Sequence, residues 1–201
     1  MWYYARYEGN FLPSPKKTFN PMMIVAIVIL VPGTQFAANF IANLTGYIRP
    51  DWLQQYNELF ETSGITDTTF VTVLYSVILA PICEELIFRG VTMRCARKAL
   101  PFALANLMQA ALFGLFHLNW IQGIYAFALG IVLGYVCERG GSIYYSMGLH
   151  LLFNLWGTLS GFFPDPGNSV VVFVVVIVVT IVSLVAGFVP VSYTHLRAHE
   201  T

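Results

Sequence analysis

The sequence has little charge. Only 10% of its 201 residues are Asp, Glu, Lys or Arg, against 57% that are hydrophobic, and the mean hydropathy is +0.69. A soluble domain carries about a quarter of its residues charged in order to cover its surface, so this composition excludes an ordinary water-soluble fold. The ten basic and ten acidic residues cancel, leaving no basic footprint for a nucleic acid. Cysteine is scarce and odd in number: Cys83, Cys95 and Cys137 form no CxxC pair and are expected as free thiols in a helical core. No internal repeat or low-complexity tract stands out beyond the Val-rich stretch at 170–182.

What the chain does contain is long apolar runs, at roughly 21–46, 68–93, 101–118, 121–137, 142–161 and 169–189. Several approach the ~20 residues that a helix needs to cross hydrocarbon. Lipid offers the backbone no hydrogen-bond partner, so such runs must be helices or a closed barrel, and barrel strands are shorter and alternate in polarity. The expectation is an all-α, polytopic transmembrane bundle of about six helices, forming one domain over 1–190. The first run is too far from the N-terminus, and continues too long through Phe36, Phe40, Ile41 and Leu44, to be a signal peptide. Pro32 and Gly33 are expected to kink it. Residues 50–66 place Trp52, Leu53, Tyr56, Leu59 and Phe60 on one face, which fits an amphipathic helix lying at the membrane interface.

The last eleven residues, 191–201, resemble the translation of a sequencing adapter rather than native protein. On that reading His195 and His199 carry no meaning, the natural C-terminus is missing, and His117 and His150 are the two authentic histidines. Basic residues at helix ends set orientation. Arg6, Lys16 and Lys17 precede the first run, Arg94, Arg97 and Lys98 follow the second, and Arg139 follows the fourth. Six helices with a cytoplasmic N-terminus put all of these on the inner side. Short loops and the lack of appended soluble domains point to a prokaryotic plasma membrane.

The second run contains Glu84, Glu85 and Arg89. An ionisable group near the bilayer centre costs at least ~2.5–3.5 kcal/mol, so such groups are paired and functional by default. Glu85 and Arg89 are four residues apart and can pair on one helix face. Glu84 lies about 100° around the helix and can face a bundle cavity. The bland alternative has both carboxylates clamp Arg89 as a structural brace. The third run places Phe113 and His117 one turn apart, and the fifth does the same with His150 and Asn154. A lone intramembrane His is more often a packing residue. Here a Glu and two His from three helices could meet as a water-activating site or as zinc ligands. Gly90, Gly114, Gly130, Gly134 and Gly148 would let the helices approach closely.

These residues carry a resemblance. Glu84-Glu85-x-x-x-Arg89, Phe113-x-x-x-His117 and His150-x-x-x-Asn154, in that order and on separate apolar helices, resemble the three signatures of the CAAX prenyl protease 2 and bacteriocin-processing family of intramembrane proteases. The resemblance covers roughly 68–160. It implies an endopeptidase whose site opens to the cytoplasmic side. Glu84, with His117, would activate the attacking water, and His150 and Asn154 would stabilise the oxyanion. Glu85, Arg89 and Phe113 would support the geometry. It leaves open a zinc site of Glu84, His117 and His150 or a metal-free glutamate mechanism. The implied partners are membrane lipid and a peptide or lipidated-protein substrate. Two competing readings are a catalytically silent relative acting as a binding or immunity protein, and a small proton-coupled transporter.

One distance conflicts with this picture. If the third helix enters the membrane at Pro101, His117 lies ~24 Å along it, far from the depth of Glu84. The conflict eases if residues 94–106 extend into the cytoplasm, which the basic Arg94–Lys98 stretch and the polar Asn106 and Gln109 would allow.

Overall fold

The computed structural model describes residues 20–63, 69–160 and 169–197. These form seven helices and, among the described residues, no strand: α1 (Pro21–Ile48), α2 (Pro50–Ser63), α3 (Phe70–Arg97), α4 (Phe102–Phe116), α5 (Trp120–Gly140), α6 (Ile143–Ser160) and α7 (Val170–Arg197). The chain is an all-α membrane bundle. All six apolar runs are helical where described, and among the described residues four helices, α1, α3, α5 and α7, are long and apolar enough to cross a membrane. At 15 residues α4 extends about 22 Å, and α6 carries the polar Ser146, His150 and Asn154 among its apolar residues. The orientation argument draws partly on Arg6, Lys16, Lys17 and the 162–168 connection, which lie outside the described residues, as does His199.

α1 starts where Asn20 accepts the Met22 N–H and Pro21 occupies the first turn, a position that needs no proline N–H. Pro32 does not end this helix. The hydroxyl of Ser183, on α7, accepts the Gly33 N–H at 2.9 Å and donates to the carbonyl of Ile29, so a side chain from another span bridges the rung beside the proline. Contact at this depth needs a bare backbone: a Cβ on Gly33 would stand 2.7 Å from Ser183 Oγ. The shared core of α1, α5, α6 and α7 centres on Leu30, Leu133, Leu149 and Val191, all fully buried. α7 runs on through Val191 to Arg197.

The amphipathic segment is α2, Pro50–Ser63. Its Trp52 stacks on Trp120 at the start of α5, ring centroids 5.3 Å apart, and Tyr56 bonds to Tyr125 one turn further on. Where regular α-helix was expected, α3 contains two π-helical stretches, Leu74–Leu79 and Leu86–Met93, flanking the Glu84–Glu85 pair. Pro81 accounts for the first. A proline inside an α-helix clashes with the carbonyl four residues back, and a widened π turn relieves that clash. α4 and α5 form a tight antiparallel hairpin. Gly114 and Gly123 touch across it, a Cβ on Gly114 falling 2.5 Å from the Gly123 carbonyl oxygen.

Candidate active site

α3, α4 and α6 converge on Phe113. Its ring is fully buried, lies 5.0 Å from the His117 ring and 5.7 Å from the His150 ring, and carries the Arg89 guanidinium 4.6 Å above its centroid. The two imidazoles therefore flank one phenyl ring, and the anticipated conflict in depth disappears. α4 begins at Phe102, and α3 ends at Arg97. Asn106 and Gln109 do not mark a solvent-exposed extension. They are buried, Asn106 Nδ2 donating to the Ile131 carbonyl at 3.0 Å and Gln109 Nε2 to the Gly130 carbonyl at 2.9 Å. Gly134 makes room for them, since a Cβ there would lie 1.9 Å from Asn106 Oδ1.

Glu85 and Arg89 pair as their spacing expects, Arg89 Nη1 to Glu85 Oε1 at 2.8 Å, with both side chains wholly inaccessible. Arg89 Nη2 also donates to the Gly130 carbonyl at 3.2 Å. A charge withdrawn from water this completely persists only with a partner and further hydrogen bonds, and both are present. His150 adds the connection that the sequence did not reveal. Its Nδ1 lies 2.9 Å from Glu85 Oε1 and its Nε2 3.6 Å from Glu84 Oε2, so one ring bridges the two carboxylates. Glu84 itself retains 16% side-chain exposure and accepts no hydrogen bond among the described residues. The clamp of both carboxylates on Arg89 is not formed.

His117 caps α4 and turns Nδ1 onto the Phe113 carbonyl at 2.9 Å. The next residue, Leu118, takes the left-handed φ of 53°, uncommon for a branched side chain, and reverses the chain into α5. Among the described residues no carboxylate comes within ion-pair distance of His117, and no three His, Cys, Asp or Glu side chains converge as metal ligands do. The zinc set of Glu84, His117 and His150 is thus not assembled. The His150 nitrogens face carboxylates, and His117 stands apart.

Asn154 makes a contact explained by Pro81. In the π register the Ala80 N–H bonds to the Tyr75 carbonyl. The next rung would join residue 81 to the Ser76 carbonyl, but proline has no N–H. Asn154 Nδ2 fills the gap, donating to the Ser76 carbonyl at 2.8 Å. One of its two N–H groups stays uncommitted to this bond. A Pro inside a span and an Asn on another apolar helix were the available signals, but their pairing follows only from the packing of α3 on α6.

Residues 66–156 match the family model described as Type II CAAX prenyl endopeptidase Rce1-like. The motif-bearing segment is similar to that family. The matched segment takes in α3 to α5, most of α6 and all three signatures, from Glu84 to Asn154, somewhat under half of the chain. No curated protein and no solved structure gives a match. The family is one of proteases, and the chain, with several helices long and apolar enough to cross a membrane, is an integral membrane protein.

Proposed function

We propose that the protein hydrolyses peptide bonds of membrane-associated or lipidated polypeptides, with Glu84 as the base that activates water. The carrying observation is the contrast between neighbours. Glu85 is fully buried and engaged by Arg89 and His150, whereas Glu84 is partly open and accepts no hydrogen bond among the described residues. An acceptor-only group without a donor is where a water will sit.

The His150 ring fits a relay. With Arg89 holding Glu85 as an acceptor, the His150 proton belongs on Nδ1, which leaves the Nε2 lone pair facing Glu84. Glu84 takes a proton from water as its oxygen adds to the scissile carbonyl. The proton passes to His150 Nε2 and from there to the leaving amine nitrogen as the C–N bond breaks, giving a carboxylic acid, which keeps the second water proton, and an amine. His117, its Nδ1–H directed to the Phe113 carbonyl, keeps Nε2 as an acceptor on the far side of the Phe113 ring from His150. The remaining Asn154 Nδ2–H can donate to the developing oxyanion. Among the described residues no set of three zinc ligands converges, and no step here runs through a metal.

A cavity of about 180 Å³ reaches Arg89 from the end of the bundle that carries Arg94 and Arg97. By the positive-inside rule that end is cytoplasmic, and the cavity there ends on the buried Arg89. The test uses purified full-length protein and a dye-labelled, lipidated peptide. Glu84→Gln lowers turnover about a thousandfold, a general base contributing roughly 10²–10⁴, while the thermal midpoint stays put. Undiminished turnover in Glu84→Gln removes Glu84 as the base.

A further inference from the structure

Serine and threonine hydroxyls in an apolar helix usually settle on the carbonyl one turn back. Thr34, Thr45, Thr158, Thr180 and Ser192 all do so here. Ser76 and Thr92 do not, and neither hydroxyl has a hydrogen-bond partner among the described residues. Both stand in the π stretches of α3, where the turn is wider and the carbonyls change register.

The two differ in what they face. Thr92 lines none of the bundle's cavities. Ser76 lines a cavity of about 420 Å³ among α1, α2, α3, α5 and α6, and Asn154 lines the same cavity. Ser76 is half-buried, and its Oγ is not among the atoms that packing closes off. Asn154 commits one Nδ2 hydrogen to the Ser76 carbonyl and keeps the other. Two residues tied to each other thus each hold a donor in reserve, one turn, ~6 Å, from His150. A nucleophilic role for the serine lacks a base, because both His150 nitrogens face carboxylates. What remains is donation, and a pair of uncharged donors at one place suits an oxygen that is gaining charge.

We infer that Ser76 is the second oxyanion donor of the site, its Oγ–H and the free Asn154 Nδ2–H both pointing to the scissile carbonyl oxygen as water adds to the carbon. The inference rests on the protease reading and adds to it a catalytic residue outside the three signatures. Ser76 surrenders no proton, and its O–H bond stays intact throughout. A hydroxyl hydrogen rotates to suit its acceptor, and with no resting partner to leave, this one turns to the oxyanion without breaking another bond. The π register of α3 then has a use in catalysis: it keeps the hydroxyl off its own helix.

The experiment compares variants of the purified full-length protein on the dye-labelled, lipidated peptide. Ser76→Ala lowers kcat about a hundredfold, as loss of one oxyanion donor does, and leaves KM within about twofold, the pattern of a contact made only in the transition state. Its thermal midpoint stays with the parent, since the deleted hydroxyl holds nothing in the resting protein. Ser76→Thr keeps the hydroxyl and retains kcat within about fivefold. A phosphinate analogue of the peptide, its anionic oxygen standing in for the oxyanion, binds Ser76→Ala more weakly by a factor close to the loss in kcat. The uncleaved peptide binds Glu84→Gln equally well with and without Ser76→Ala. Hydrolysis by Ser76→Ala at the parent kcat, a loss carried in KM or matched by a fall in thermal midpoint, or an equal loss in Ser76→Thr overturns the role of Ser76 and leaves the protease reading standing. Absence of hydrolysis by the unaltered protein overturns that reading, and the oxyanion role with it.

Discussion

α3 and α7 are both long membrane helices with an internal proline, and they are built on opposite plans. α7 has the higher hydropathy, 3.2 against 1.8 in its best window, and only 11% of that window is buried against protein. Its valines face lipid, where one apolar side chain serves as well as another. α3 carries two carboxylates, an arginine and two π stretches, and Glu85, Arg89 and the Ser76 carbonyl bond to partners on α5 and α6. Hydrocarbon meets most of the surface of a span like α7, whose contacts with protein centre on Ser183 and Val191. A span like α3 depends on its neighbours, so the sequence tolerance of the two should differ sharply.

The largest test of that difference is Arg89→Leu. It strands Glu85 and His150 without their cation, and breaking a buried pair costs about 3–5 kcal/mol. A thermal midpoint in detergent within a degree of the parent would show that the pair is not structural. Next is Gly134→Ala, where the new Cβ overlaps Asn106 Oδ1. Overpacking there costs about 3 kcal/mol, and the companion change Asn106→Ala should recover most of it. Smaller again is Asn154→Ala, which uncovers the Ser76 carbonyl at about 1–2 kcal/mol. In a Pro81→Ala background, where residue 81 regains its N–H, the same change should cost less, and a double-mutant cycle of stabilities reads this directly. If the two costs are equal, the link from Pro81 to Asn154 is wrong. At the bottom, Val174→Leu on the lipid face of α7 should stay within about 0.5 kcal/mol. A large loss there would dissolve the contrast between the two helices.

The parts legible in the sequence were those set by spacing along one chain. Apolar run lengths gave the helices, the four-residue step gave the Glu85–Arg89 pair, and the face of Trp52 and Tyr56 gave α2. The parts that escaped depend on two segments meeting. That His150 bridges both carboxylates requires α6 to pack on α3. Asn106 and Gln109 looked like residues for water until α5 gave them the Ile131 and Gly130 carbonyls to bond and, at Gly134, the space to reach them. The first π stretch followed from Pro81, but a proline in a membrane helix can also be accommodated by a kink, and nothing local distinguishes the two. Four rather than six helices are long and apolar enough to cross, because α4 stops at the His117–Leu118 reversal and α6 contributes polar side chains.

The Ser183 hydroxyl on the Gly33–Ile29 rung has a consequence for biogenesis. The first described span emerges from the ribosome some 150 residues before the one that completes its hydrogen bonding. Until α7 arrives, the stretch beside Pro32 must borrow water or lipid headgroups, so α1 is expected to sit shallow or mobile in the bilayer and to settle only when the chain is nearly finished.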